Sequence, residues 1–159
     1  MKEAKLRILE QTDNVSLYSI CFNGKDITEY EAFVQKFKGD ATLNTDYKNI
    51  ILALEKIMTV GAFERFFRPE GKIEDHVAAL SIDSRKLRLY CLRISDQILI
   101  VGNGGVKDSR TYQENEELSG YVIDLQVFDK ILTEARKDGS ITIEKNVITG
   151  IERKIFQLL

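Results

Sequence analysis

Lys86-Leu87-Arg88-Leu89-Tyr90-Cys91-Leu92-Arg93-Ile94, then Ser95-Asp96-Gln97, Ile98-Leu99-Ile100-Val101 and Gly102-Asn103-Gly104-Gly105-Val106-Lys107, is the stretch on which the fold turns. Its first nine residues alternate, which predicts a strand with Leu87, Leu89 and Cys91 on one face and Arg88 and Tyr90 on the other. The facing of Arg93, near the strand end, is left open by the pattern. Ser95-Asp96-Gln97 predicts a tight turn, and Ile98 to Val101 a second, more apolar strand. Asn-Gly followed by Gly-Gly predicts that this strand stops at a corner, because glycine tolerates positive φ. Such a corner would present Lys107, Arg110 and Tyr112 beside the sheet.

Upstream, Leu6 to Leu9 and Val15 to Phe22 read as strands separated by Thr12-Asp13-Asn14, a hairpin signal. Thr28 and Glu31 match the capping box, and Tyr30, Phe33, Val34 and Phe37 recur at helical spacing, predicting a helix over 29–38. Asn44 or Thr45 caps a second helix, whose stripe Tyr47, Ile50, Ile51, Leu54, Ile57 and Met58 has the 3.6-residue period. Phe63, Phe66 and Phe67 predict that this helix bends at Gly61 and runs on to about Phe67. Pro69-Glu70-Gly71 reads as a turn, and His76 to Ile82 as a strand. Downstream, Leu118, Val122, Leu125, Phe128, Ile131 and Leu132 share one face of a long helix that Asp138-Gly139 ends. Ile141 to Ile148 alternates as a single strand would, and Ile151 to Leu159 is compatible with strand or helix.

The expectation is an α+β domain: an antiparallel-rich sheet packed by two N-terminal helices and one long C-terminal helix. At 159 residues the chain fits one domain, 1–159, large enough to bury roughly 68–70% of its unfolded surface. Cys21 and Cys91 both fall in apolar strand patterns and read as small core residues in a reducing compartment. No apolar run approaches the roughly 20 residues a bilayer span needs, and the N-terminus lacks the apolar segment of a secretory signal, so a cytoplasmic location without membrane association is expected. The net charge of −2 gives no global attraction to nucleic acid, so such a site would have to be a local patch.

Two arrangements point toward phosphate. Arg88 and Arg93 carry planar forks suited to bidentate phosphate contacts, with Lys86 and Tyr90 alongside. Lys107, Arg110 and Tyr112 are residue types compatible with metal-free RNA cleavage, which needs cations for the developing phosphorane charge and groups that move protons when neighbouring charges shift their pKa. Against these stand a solvated strand face and an exposed polar loop. The glycine run matches neither G-x-x-x-x-G-K-[ST] nor G-x-G-x-x-G. His76, the single histidine, reads as a surface or paired residue, and no Cys/His spacing suggests zinc. Phe63, Phe66 and Phe67 read as core packing, with a partner-binding or base-stacking surface as the alternative.

With those residues in place, the chain resembles the RelE/HigB superfamily of bacterial toxin-antitoxin toxins. The resemblance lies in Leu87-Arg88-Leu89-Tyr90-Cys91-Leu92-Arg93, then Ile98 to Val101, Gly105-Val106-Lys107, Arg110 and Tyr112, and covers a core of about 15–112. It implies ribosome-associated mRNA cleavage without metal or cofactor, restrained by a protein antitoxin. Carried residue by residue, it assigns Arg93, Lys107, Arg110 and Tyr112 to catalysis, and Lys86, Arg88 and Tyr90 to RNA binding. The chain departs from that family in being longer and mildly acidic, with a helix-strand extension over about 113–159 that suits occlusion or dimerisation. Two other functions remain open: a non-catalytic interaction module on the same scaffold, and a small-ligand or nucleotide-binding domain with a pocket over Gly102 to Gly105.

Overall fold

The computed structural model describes residues 2–70, 76–82, 86–107 and 115–158. In chain order the elements are β1 (Lys2–Gln11), β2 (Ser16–Phe22), α1 (Glu29–Phe37), α2 (Asn44–Val60), β3 (Phe67–Pro69), β4 (Val77–Leu80), β5 (Leu87–Ser95), β6 (Ile98–Val106), α3 (Glu116–Lys137), β7 (Thr142–Glu144), β8 (Val147–Thr149) and β9 (Phe156–Leu158). Seven strands form one sheet in the order β3-β4-β5-β6-β2-β1-β9, and β7-β8 is a separate hairpin.

The fold is α+β with a mixed sheet. The expected antiparallel arrangement is corrected at its centre: β2 and β6 run parallel, Ser16 opposite Ile98 through Ser19 opposite Val101. The chain leaves β2 through α1 and α2, reaches the far edge at β3, and returns strand by strand to β6, so β6 arrives beside β2 in the same direction.

Alternation along each strand sorts the core into two layers. Leu87, Leu89 and Cys91 of β5, with Leu17, Leu99 and Val101, pack against Phe33 and Phe37 of α1 and Ile50, Leu54 and Ile57 of α2. Tyr90 and Leu92 face the other way, with Tyr18, Ile20 and Ile100, against Leu118, Val122, Leu125, Phe128 and Leu132 of α3. The C-terminal segment is thus one of the three layers: α3 covers a whole sheet face, and β9 pairs with Lys2 to Ala4 of β1. Both cysteines are buried and free. Among the described residues no helix is long and apolar enough to cross a membrane.

Local chemistry explains the boundaries. At α1 the capping box forms in full: Glu31 N donates to Thr28 Oγ1 at 3.1 Å, and Thr28 N donates to Glu31 Oε1 at 2.9 Å. α2 stops at Val60 rather than bending on to Phe67, because Gly61 takes a φ of 126° and Ala62 N bonds the Asp96 carbonyl instead of the helix. Pro69 lies within β3, and Glu70 N continues the pairing to the Val77 carbonyl, where the sequence suggested a turn. The alternation from Ile141 to Ile148 is not one strand: Lys145, at φ 55°, turns the chain into the β7-β8 hairpin.

The glycine run is the largest correction. Gly102-Asn103-Gly104-Gly105 is no corner; it lies inside β6, buried, and the strand runs on to Val106. Across from Tyr90 alone stand both Gly102 and Asn103, a β-bulge, since Leu89 pairs with Gly104 and Cys91 with Val101. A Cβ on Gly104 would lie 1.9 Å from the Arg88 carbonyl oxygen, and Cβ atoms on Gly102 and Gly105 would each meet a leucine of α3 at 3.1 Å. Glycine is there so that a neighbouring strand and helix can approach closely.

Candidate nucleic-acid interface

The five described residues among the seven that the sequence nominated do not form one site. Arg110 and Tyr112 lie outside the described residues. Arg93 is placed away from the rest. Its side chain follows Leu89 and Cys91 to the α1/α2 side, opposite Leu99, and is 18% exposed. Nε donates to the Ala62 carbonyl at 2.7 Å, Nη2 pairs with Asp96, and Nη1 lies 3.7 Å from Glu64. These bonds tie the segment after α2 to the β5-β6 turn. Arg93 stands seven residue steps along from Lys86, about 23 Å at roughly 3.3 Å per step.

Tyr90 is not available to stack on a base, because it is fully buried beneath α3. Leucines of α3 occupy the space over Gly102 and Gly105. His76, by contrast, is the paired surface residue expected: its Nδ1 sits 2.9 Å from Asp129 Oδ1 on α3. Among the described residues no group of three or more His, Cys, Asp and Glu side chains is placed to hold a metal ion.

What the structure does bring together is the far end of β5. Lys107 N bonds the Lys86 carbonyl at 2.6 Å, setting the two lysines side by side where β5 begins and β6 ends. Asp46, in the first turn of α2, accepts the backbone N–H groups of Lys86 and Leu87, both at 3.2 Å, and fixes this corner. Arg88 points to the same face as Tyr90 and is half-buried. Burial lowers its pKa first and the neighbouring Arg68 lowers it further, while Tyr90, Glu70 and Asp46 act in the opposite sense. The guanidinium nonetheless stays charged at any physiological pH.

Two members of this cluster carry no signal in the sequence. Arg68 and Glu70 stand two residues apart on the β3 edge, both on the α3 side of the sheet. Arg68 Nε lies 3.9 Å from Glu70 Oε1, and the glutamate side chain is only 11% exposed. Burial pushes the Glu70 carboxyl above the ordinary glutamate range, with Lys107, Arg68 and Arg88 pulling it back in that order. The result is a shielded carboxylate beside Arg68 that also feels the charges of Lys107 and Arg88 from other strands or strand ends. A carboxylate with a raised pKa takes and returns protons more readily near neutral pH than an ordinary glutamate does, and the cations around it suit a phosphate.

Comparison with protein-family models, with curated proteins and with solved structures returns no match.

Proposed function

We propose that this chain is a RelE/HigB-like protein that binds RNA, with Glu70, Arg68, Arg88 and Lys107 at the centre of a metal-free cleavage site. The observation that carries the reading is the shielded Glu70 carboxylate, 3.9 Å from Arg68 and drawn toward its charged form by Lys107, Arg68 and Arg88. On this reading Glu70 accepts the proton of a ribose 2′-OH, the 2′ oxygen attacks the adjacent phosphorus, and the bond from phosphorus to the 5′ oxygen breaks. Lys107 supplies the proton to that leaving oxygen, and Arg68 and Arg88 hold the charge on the non-bridging oxygens. Products are a 2′,3′-cyclic phosphate and a 5′ hydroxyl. Lys86, exposed at the rim, adds backbone affinity. A RelE-like core over about 15–112, a protein antitoxin and a ribosomal setting belong to this proposal, as does a cytoplasmic location. Arg93 is assigned to structure instead of catalysis.

The second reading, a non-catalytic interaction module, is favoured by the exposed apolar side chains of Ile8, Val147 and Ile155. Salt-dependent RNA binding separates the two. Wild-type protein should bind a single-stranded RNA oligonucleotide with a log–log salt slope that falls by about 1.4 units in the Arg68→Ala/Arg88→Ala variant, two phosphate contacts at roughly 0.7 each. RNA binding that is absent in wild type, or unchanged in the variant, would leave the interaction module as the better account.

A further inference from the structure

β1 closes one side of the sheet, and most of it has no strand beside it. β9 covers only Lys2 to Ala4, pairing them with Leu158, Gln157 and Phe156. Among the described residues nothing pairs with the outer edge from Lys5 to Gln11. A long bare edge is a template for a further strand, and proteins ordinarily shield one. Here a groove of about 780 Å³ runs along it, walled by the β7-β8 hairpin and the segment before β9. Three of the seven exposed large apolar side chains among the described residues face this one groove: Ile8 at 45%, Val147 at 45% and Ile155 at 46%. Their concentration marks the edge as a contact surface.

We propose that this edge pairs antiparallel with β1 of a second copy, about a two-fold axis at Ile8, joining two seven-stranded sheets into one. The charge order along the strand selects this occupant. Lys5 and Arg7 stand at one end and Glu10 at the other, so a reversed copy sets each cationic end against an acidic one. The bulge in β1 makes the faces agree as well. Ile8 pairs with Tyr18 and Glu10 with Leu17, leaving Leu9 as the extra residue. Leu17 belongs to the α1/α2 layer, so Glu10 points to that side, as Arg7 does one step from Ile8. With Ile8 opposite Ile8 of the second copy, Arg7 falls opposite the Leu9-Glu10 bulge on the same face. Two Arg7–Glu10 pairs then flank an apolar centre of two Ile8 side chains, with Val147 and Ile155 beside them. The pairing is isologous and closes on itself.

Two measurements test it. Directly opposed residues in an antiparallel pair lie about 4.5–5.5 Å apart at Cα, within disulfide reach. Ile8→Cys should therefore cross-link to a covalent dimer under mild oxidation, whereas wild type, whose two cysteines are buried, should not. In sedimentation, Arg7→Glu and Glu10→Arg should each weaken the dimer about tenfold or more, and the double swap should restore it. Restoration separates lost pairing from a misfolded single variant. A monomeric wild type, an Ile8→Cys protein that does not cross-link, or a dimer indifferent to both single swaps overturns the proposal.

Discussion

Gly104 and the Arg88 carbonyl oxygen are so close across the β5-β6 pair that a methyl group on Gly104 would lie 1.9 Å from that oxygen. The neighbour is backbone of an adjacent strand, so it cannot rotate away. Gly104→Ala must therefore spread the two strands that carry Arg88 and lead to Lys107. The expected loss is about 3 kcal/mol, at or beyond the upper end for overpacking. Gly120, within α3, is the control: a Cβ there meets nothing within 4 Å. Gly120→Ala should stabilise by about 1 kcal/mol through helix propensity. Urea denaturation of the two variants checks both signs.

Arg93 is expected to matter for stability and not for RNA. Removing its bonds to the Ala62 carbonyl, Asp96 and Glu64 frees the segment after α2. Arg93→Ala should lose about 2 kcal/mol, the scale of charged hydrogen bonds. RNA affinity per folded molecule should be unchanged. A variant of full stability that has lost RNA binding would return Arg93 to the site.

Glu70 should make stability depend on pH in a defined direction. Its carboxyl pKa is raised by burial above the unfolded value, so between the two pKa values the folded state holds the proton more tightly. The charged form then costs stability above the folded pKa, and the cost fades as pH falls through it. Glu70→Gln should be more stable than wild type at about pH 8, with the gap closing toward about pH 4. Denaturant midpoints across that range measure it, and a gap that widens on acidification contradicts the assignment.

Thr28 is buried, and its hydroxyl accepts the Glu31 N–H at the start of α1. Thr28→Ala should cost about 1 kcal/mol. Thr28→Ser keeps the oxygen and should recover most of that, as thermal melts of the two variants would show.

Much of the fold was legible because local rules carry it. Thr28 with Glu31, the stripe from Tyr47 to Met58, the Ser95-Asp96-Gln97 turn and the face of α3 each declare themselves within a few residues. The errors arise where a distant partner decides. Gly102 to Gly105 look like a turn until α3 and β5 are placed against them; then close approach, not positive φ, explains the glycines. Tyr90 alternates to the polar side of its strand, yet α3, nearly thirty residues later in the chain, covers it. Glu70 was unreadable for the same reason: Arg68 is its neighbour in sequence, but Arg88 and Lys107 arrive from other strands, and no spacing records their meeting.

Cleavage of a DNA oligonucleotide that carries one ribonucleotide tests the role of Glu70 most directly, read as 2′,3′-cyclic phosphate formed by wild type and by Glu70→Gln across pH. Wild type should give product, with an acid limb displaced above the ordinary glutamate pKa. Glu70→Gln should lose about a hundredfold or more in rate, the scale of a general base, with RNA affinity retained. Equal rates in the two proteins, or no cyclic product from a wild type that binds the oligonucleotide, would contradict it.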